Sequence, residues 1–374
     1  MSPPGRPKGE FRSAKHAGAP ANRRILFFAD ARSVHTQRWV HEMARRGFRC
    51  SVATRRPAEV SGADEVIALH PGDSAAGWFT ALPAVRRLAR QLRPRWLHGH
   101  YVTSYGLWGA ACRSQVDAPL VLTAWGSDIL VTPHQSGLRG RVTAALLRRT
   151  LRRAALITAD AAEVLDDIRR YGTSAPCEQV LWGADTELFC PGEPVPGFEI
   201  SSLRVWEPNY RIDTVLRALA QLCAARPQSS IVLHLLGGGP DAAALKALAD
   251  ALGIAQRVRF TGRVDEATIV RTLQRCRVSV SVPASDATSV SVLESMACAL
   301  PVIASDLSAN RQWLDPALLV RASDASALAD LLIRLHDEPA LCAVQGRRNR
   351  ALVLERGSRR QHMDRMAALY EALA

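Results

Sequence analysis

The 374-residue chain has no run of 18 or more apolar residues, so no segment is long enough to cross a bilayer as a helix. The basic N-terminus, "MSPPGRPKGEFRSAKHAGAPANRR", has no apolar stretch behind it, and the pattern of a secretory leader is missing. The eight cysteines (50, 112, 177, 190, 223, 276, 298 and 342) form no C-x-x-C pair and join no His-rich cluster. That excludes zinc spacing of the usual kind and leads us to expect reduced thiols in a cytoplasmic protein. No acidic D-x-D cluster points to a required metal, and none is expected. Arg far exceeds Lys, and no recognisable nucleic-acid module or interleaved exposed aromatics accompany the charge, so a nucleic-acid partner is not expected.

A composition of 48% hydrophobic and 22% charged residues suits a soluble globular protein, and the length suits two domains of ordinary size. The net charge of +13 is concentrated in two places. One is residues 1–22, read as a disordered basic tail, with Arg23 and Arg24 behind it. The other is "GLRGRVTAALLRRTLRRAA", 137–155, which carries Arg139, Arg141, Arg148, Arg149, Arg152 and Arg153 and no acid. Apolar residues interleave with these arginines, so a helix resting peripherally on an anionic inner membrane face is one expectation. Arg-rich solvated faces are the other.

From residue 23 short apolar runs alternate with helical patterns. "RRILFFAD", "FRCSVAT", "RWLHGHY", "PLVLTAWG" and "ALITAD" read as strands, and helical spacing fills the gaps between most of them. The stretch "PGEPVPGFEI", 191–200, breaks the pattern with three prolines and two glycines and reads as a linker. The alternation then resumes through "SSIVLHLLGGG", "RVRFTG", "VSVSVPAS" and "PVIASD". The expected fold is α/β, with two doubly wound Rossmann-like domains at 23–190 and 201–355. A final helix, 356–374, is free to cross back to the N-terminal domain. Ligands of such sheets sit beyond the carboxyl ends of the strands, and the natural site is a cleft between the domains.

Gly237, Gly238, Gly239 and Asp241 follow a strand and precede a helix, where a backbone can approach an anion; an ordinary tight turn explains them as well. "SDATSVSVLESMACALPVIASD", 285–306, sets Asp286 in a loop after a strand and Glu294 about one turn into the next helix. Backbone N–H groups of that first turn favour a diphosphate. Two carboxylates so spaced can grip the hydroxyl-rich ends of an elongated ligand. On spacing alone, a helix cap and a solvated face residue remain open.

Asp286-x7-Glu294, followed by Ser-Met-Ala-Cys and "PVIASD", resembles the E-x7-E region of retaining glycosyltransferase family 4, a group with the GT-B fold. "WGADTELFCPG", "LLGGGPDAAALKALADALGIAQRVRFTGRV", "HGHYVTSYG" and "LTAWGSDIL" resemble further segments of that family, so the likeness runs over most of the chain. It implies a retaining, metal-independent transferase that uses a nucleotide diphosphate sugar and no other cofactor. The acceptor it implies is a hydroxyl of a lipid-linked or cell-envelope glycan or of a small metabolite.

Residue by residue, the likeness implies that Glu294 holds ribose hydroxyls and Asp286 donor-sugar hydroxyls. Ser289, Val290 and Ser291 offer N–H groups to the diphosphate, Arg204 binds phosphate, Arg263 and Val264 line the base pocket, and His100 lies next to the anomeric carbon. Asp30, Arg32, His35 and Asp128 would stand on the acceptor side, with Arg38 beside them. His98 reads as structural.

The departures are Asp for the first Glu, a first loop without its usual glycine pair, and Tyr210 where the family usually has Lys. Arg211 is the replacement cation expected from the sequence. A catalytically silent binding partner, or another nucleotide-sugar enzyme such as an epimerase, are the alternatives these departures leave.

Overall fold

A computed structural model of the chain describes residues 11–12, 23–70, 76–126, 129, 137–193 and 195–373, without the side chains of 11–12 and 137–139. The described residues fall into two compact units, one of residues up to Val180 together with those from Met363, the other Leu181–His362.

The first unit is an eight-stranded sheet. Its strands are β1 (Phe11–Arg12), β2 (Arg24–Phe28), β3 (Arg49–Thr54), β4 (Ala63–Ala68), β5 (Trp96–His100), β6 (Leu120–Ala124), β7 (Leu156–Ala159) and β8 (Cys177–Gln179). Their order is β1-β4-β3-β2-β5-β6-β7-β8, parallel throughout except for β1. The apolar runs read as strands are buried strands here: Ile25, Leu26, Phe27 and Phe28 are all fully covered.

Two corrections concern the edges. Phe11 and Arg12, expected in a disordered tail, pair antiparallel with Val66 and Glu65. β4 and β8 were not expected. β4, flanked by β3 and the two-residue edge strand β1, has only Ala63 and Val66 buried, and Asp64 and Glu65 hide its apolar pattern. A third difference follows β5, where Tyr101–Tyr105 is a π-helical turn, opened by Tyr101 at φ 65°, before the α-helix Gly106–Cys112 begins. π turns of this kind gather at functional sites.

The second unit is a six-stranded, all-parallel sheet of β9 (Phe198–Leu203), β10 (Ile231–Leu236), β11 (Val258–Gly262), β12 (Val278–Ser281), β13 (Val302–Ser305) and β14 (Leu319–Val320), in the order β11-β10-β9-β12-β13-β14. The boundary at Val180 precedes the proline-rich stretch where the sequence places it. Leu181, Ala184 and Phe189 already pack with Val292, Met296 and Val353 in this unit's core. Phe198–Ile200, which end the linker stretch and also begin the strand pattern "FEISSLRVW", open β9.

The segment "VSVSV" alternates rather than being apolar on both faces. Val278, Val280 and Val282 enter one core with Ile200, Leu233 and Leu235. Ser279 and Ser281 face the other way, and Ser279 accepts a hydrogen bond from Ser295 at 2.9 Å. That second face therefore carries a polar seam, Ser201–Ser279–Ser281, which ends where β12 ends.

Candidate functional site

In the second unit the strand order reverses at β9, whose neighbours are β10 on one side and β12 on the other. The carboxyl ends of β9 and β12 flank this switch point, where open α/β sheets bind ligands. Arg204 leaves the end of β9 and meets the end of the polar seam: its Nε and Nη2 donate to Ser281 Oγ at 2.8 and 2.6 Å. Nη2 also donates to Asp286 Oδ2 at 2.7 Å, an ion pair whose side chains are 10% and 23% exposed.

The sequence separates these two residues, one for phosphate and one for sugar, and the structure brings them together. Arg204 Nη1 has no hydrogen-bond partner among the described residues, so the guanidinium keeps donors for an anion. The Tyr210 ring lies 5.4 Å beneath the guanidinium, and burial and Asp286 raise its phenol above the usual range. The residue in the place of Lys is thus a neutral platform for Arg204.

Arg211, the expected replacement cation, takes no part in the hydrogen bonds that join Arg204, Ser281 and Asp286. It caps the helix Ile212–Ala225 from a left-handed conformation and lines a recess of about 270 Å³ with Glu207, Asp213 and Asp241. Its Nε is buried without a hydrogen-bond partner among the described residues, and no ion pair joins it to these carboxylates.

The helix Val290–Ala297 begins where the sequence predicts, with Ser289 as its N-cap. Ser289 makes no side-chain cap bond; its hydroxyl pairs with that of Ser291 at 3.0 Å, which leaves the first-turn N–H groups to other partners. Glu294, one turn on, is 5% exposed and is no solvated face residue. Its Oε1 lies 3.9 Å from Arg359 Nη2.

The sequence reading missed Arg359. It sits 65 positions downstream at the start of a helix that reads as amphipathic and unassigned. It is 7% exposed, lies over the Trp182 ring at 4.8 Å and is 3.9 Å from Asp185. The signal that could have found it is the "WG-D" of 182–185, whose Ala184 pairs with Arg359 N at 2.8 Å.

Two glycines of the Gly237–Gly239 turn are fixed by close approach. A Cβ on Gly237, at φ +147°, would stand 2.0 Å from Arg204 O, and one on Gly239 2.2 Å from Trp206 O. Gly238 is open by comparison: its Cβ would come no nearer than 3.4 Å to a neighbour, Arg263 Cγ. Of the three glycines that the sequence singles out, packing requires Gly237 and Gly239. Arg263 is exposed along this turn and Val264 is half-buried.

In the first unit, His100 ends β5 fully buried, and neither ring nitrogen has a partner among the described residues. Its neighbours are rings: His98 at 4.6 Å, Trp39 at 5.3 Å and Trp125 at 5.7 Å. Burial, then the nearby His35, lowers its pKa to about 3, so the imidazole is neutral. His35 stacks on Trp125 at 4.4 Å and is likewise held neutral, at about 4, by burial and Arg38.

Asp30, beyond the end of β2, accepts from Arg32 N at 2.9 Å and lies 3.6 Å from Arg56. Arg32 is exposed. Asp128 lies outside the described residues, as does the Arg139 side chain. Arg141, Arg148, Arg149 and Arg152 are exposed on the helix Gly137–Leu151 and the turn after it, while Leu147 and Leu151 are buried.

Among the described residues one group brings metal-type ligands together: Glu199, His234 and Cys276, within 4.8 Å of one another. Arg275 and His234 already engage the Glu199 carboxylate, at 2.7 and 2.9 Å, and burial pushes the Cys276 thiol up to about 12. The group is an ionic network in its own right. No described helix is long and apolar enough to cross a membrane.

Residues 24–161 match the family model of glycosyl transferase 4-like proteins, and residues 200–338 that of glycosyl transferases group 1. A GDP-mannose-dependent monoacylated alpha-(1-6)-phosphatidylinositol monomannoside mannosyltransferase of Corynebacterium glutamicum is 28% identical over 208 residues, 49% of this chain and 53% of that one. The chain thus spans about half the length of the first curated relatives it matches. A D-inositol 3-phosphate glycosyltransferase of Corynebacterium jeikeium is 26% identical over 82% of this chain and 83% of its own.

Among solved structures, sucrose-phosphate synthase of Thermosynechococcus elongatus superposes with a TM-score of 0.78 at 19% identity, covering 94% of this chain and 99% of that one. Anabaena HepE in complex with UDP gives 0.79 at 16% identity, covering 94% and 100%. The fold is therefore GT-B, and the chain belongs to the glycosyltransferase family that the two matched regions define.

Proposed function

We propose that, as a member of this family, the chain moves a sugar from a nucleotide diphosphate sugar to a hydroxyl acceptor, with retention and without a bound metal. The observation that carries the reading is the Arg204–Ser281–Asp286 cluster beside the N-terminus of the helix Val290–Ala297, with Glu294 buried one turn below. HepE, which shares the fold, has been solved with UDP and with UDP-glucose.

In this reading the bond from the anomeric carbon to the diphosphate oxygen breaks as the bond to the acceptor oxygen forms. The acceptor's proton passes to the departing diphosphate. Negative charge grows on that diphosphate, and prearranged donors are worth most where charge grows. Arg204, through Nη1, and the N–H groups of Ser289, Val290 and Ser291 supply them. Glu294 accepts from ribose hydroxyls and Asp286 from the donor sugar. The chain supplies no nucleophile. Asp286 and Glu294 lie about a turn apart along one ligand and do not flank a bond as the paired carboxylates of glycosidases do.

The test is calorimetry of wild type and Glu294→Ala with UDP-, GDP- and ADP-sugars. One of the three should bind wild type, with affinity falling roughly 10- to 150-fold in the variant, the worth of a hydrogen bond to a charged group. If none binds wild type, the reading fails and the silent-partner alternative replaces it.

The acceptor side belongs to the first unit, where Asp30, Arg32 and His35 are the candidate groups. The names of the two corynebacterial relatives, one acting on a phosphatidylinositol mannoside and one on inositol phosphate, support a lipid-linked or small phosphorylated acceptor. The exposed arginines at 141, 148, 149 and 152 support contact with an anionic membrane surface. Val142 is the one large apolar side chain among the helix's described exposed positions, so such contact is electrostatic, not insertional. Anionic vesicles should sediment the protein at low salt and release it at high salt, where the screening length falls to a few ångströms. Absence of binding at low salt overturns this part of the reading.

A further inference from the structure

We infer that Tyr370, in the C-terminal helix Arg359–Ala372, is a positioning residue for His100 and acts through His98. The inference rests on the reading of His100 as a reaction-site group.

The geometry is a chain of buried polar atoms within the first unit. The Tyr370 hydroxyl lies 2.5 Å from His98 Nδ1. His98 Nε2 lies 2.8 Å from Thr123 Oγ1, and Thr123 Oγ1 lies 2.7 Å from Thr158 Oγ1. Tyr370, His98 and Thr158 are fully buried and Thr123 is 2% exposed, so water does not compete for these bonds. His98 and His100 are two apart on β5 and share a face of the sheet. The rings meet edge to face, 4.6 Å apart at 69°. Trp39 touches both, at 5.6 and 5.3 Å. Tyr370 is itself fixed, because Trp96 Nε1 donates to its carbonyl at 2.6 Å and its ring packs on those of Phe48 and Trp96.

Chemistry sets the direction of the chain. A phenol O–H is a good donor and a neutral imidazole nitrogen a good acceptor. Burial keeps His98 neutral. Tyr370 therefore donates to Nδ1, the His98 proton sits on Nε2, Nε2–H donates to Thr123, and Thr123 donates to Thr158. One tautomer and one ring orientation are thus fixed from both ends. His100 has no hydrogen bond of its own to hold its ring among the described residues. Its orientation comes from packing on rings, and of those touching it His98 is the one locked at both of its nitrogens. A His98 able to flip would let His100 turn with it.

The test is Tyr370→Phe in the full chain, read by the histidine ring resonances and by steady-state kinetics. Thr123→Val breaks the other end and serves as a second variant if the first does not fold. In wild type the nitrogen shifts of His98 should report the Nε2–H tautomer. In either variant they should move toward a tautomer mixture and the His100 ring resonances should shift. kcat should fall about tenfold, the rate equivalent of one uncharged hydrogen bond, while the donor KM stays within about twofold. Unmoved His98 and His100 resonances overturn the inference, as does a shifted His98 with unchanged His100 resonances. If His100→Ala keeps full activity, the assignment of His100 to the reaction is what fails, and the resonances still decide whether Tyr370 orients it.

Discussion

Arg204→Met should lower kcat/KM for the donor by roughly 10- to 150-fold, and adding Asp286→Asn should recover part of that loss. The first half follows from the charged hydrogen bond that Arg204 offers a departing diphosphate, worth about 1.5–3 kcal/mol. The second follows from the ion pair. Asp286 Oδ2 lies 2.7 Å from Arg204 Nη2. Once the guanidinium is gone, an uncompensated carboxylate faces the anionic donor, and like charges a few ångströms apart cost about 1 kcal/mol in water and more in a partly buried site. Asn removes that repulsion at the same size. Arg204→Lys should fall between the two, because an ammonium cannot reach Ser281, Asp286 and a phosphate in one plane. The measurement is a double-mutant cycle on kcat/KM. Simple additivity would mean that Arg204 and Asp286 act independently, as the sequence had them.

That separation in the sequence has a physical origin. Arg204 and Asp286 are 82 positions apart, and β9 and β12 become neighbours only because the strand order reverses between them. A motif read along the chain sees Asp286 with Glu294, which share a loop and a helix turn. It does not see which residue each carboxylate meets in space. Glu294 finds Arg359, and Asp286 finds Arg204 and Ser281.

Local signals served well where the physics is local. The helix start near Ser289 to Ser291 came from the break between an apolar strand and a helical pattern. The apolar runs were legible as strands for the same reason, though the reading of "VSVSV" as a strand gave no role to its serines, of which Ser281 holds Arg204. β4 was missed because only Ala63 and Val66 of its six residues are buried, and Asp64 and Glu65 interrupt the apolar run. Tyr370 was missed because an amphipathic terminal helix carries no mark of what its apolar face will cover. Its partner His98 was read as structural, which is how the buried relay uses it.

The glycine turn links the stability of the second unit to its candidate chemistry, and Gly237→Ala is the substitution that tests the link. An alanine Cβ at position 237 would stand 2.0 Å from the carbonyl oxygen of Arg204, at a φ of +147° that side chains rarely adopt. No rotamer relieves a clash with backbone. The segment must move, and with it Arg204 N, bonded to Leu236 O at 3.1 Å, and Trp206 N, bonded to Gly238 O at 3.2 Å. Overpacking of this kind costs about 1–3 kcal/mol and the backbone strain a further ~1–2, so a loss of about 3 kcal/mol or more is expected. Chemical denaturation of the full chain should show it in the transition of the second unit.

Gly238→Ala is the control, one residue away. Its Cβ would come no nearer than 3.4 Å to a neighbour, the flexible Arg263 side chain, and stability should change by less than about 1 kcal/mol. The two variants should also part in donor binding: Gly237→Ala displaces the main chain that aims Arg204 and loses the donor, while Gly238→Ala moves Arg263 and changes affinity modestly. Equal stability for the two would show that the turn gives way easily. Arg204 would then owe its position to Ser281 and Asp286 alone, and the glycines would be free for the ligand-contact role that the sequence assigned to them.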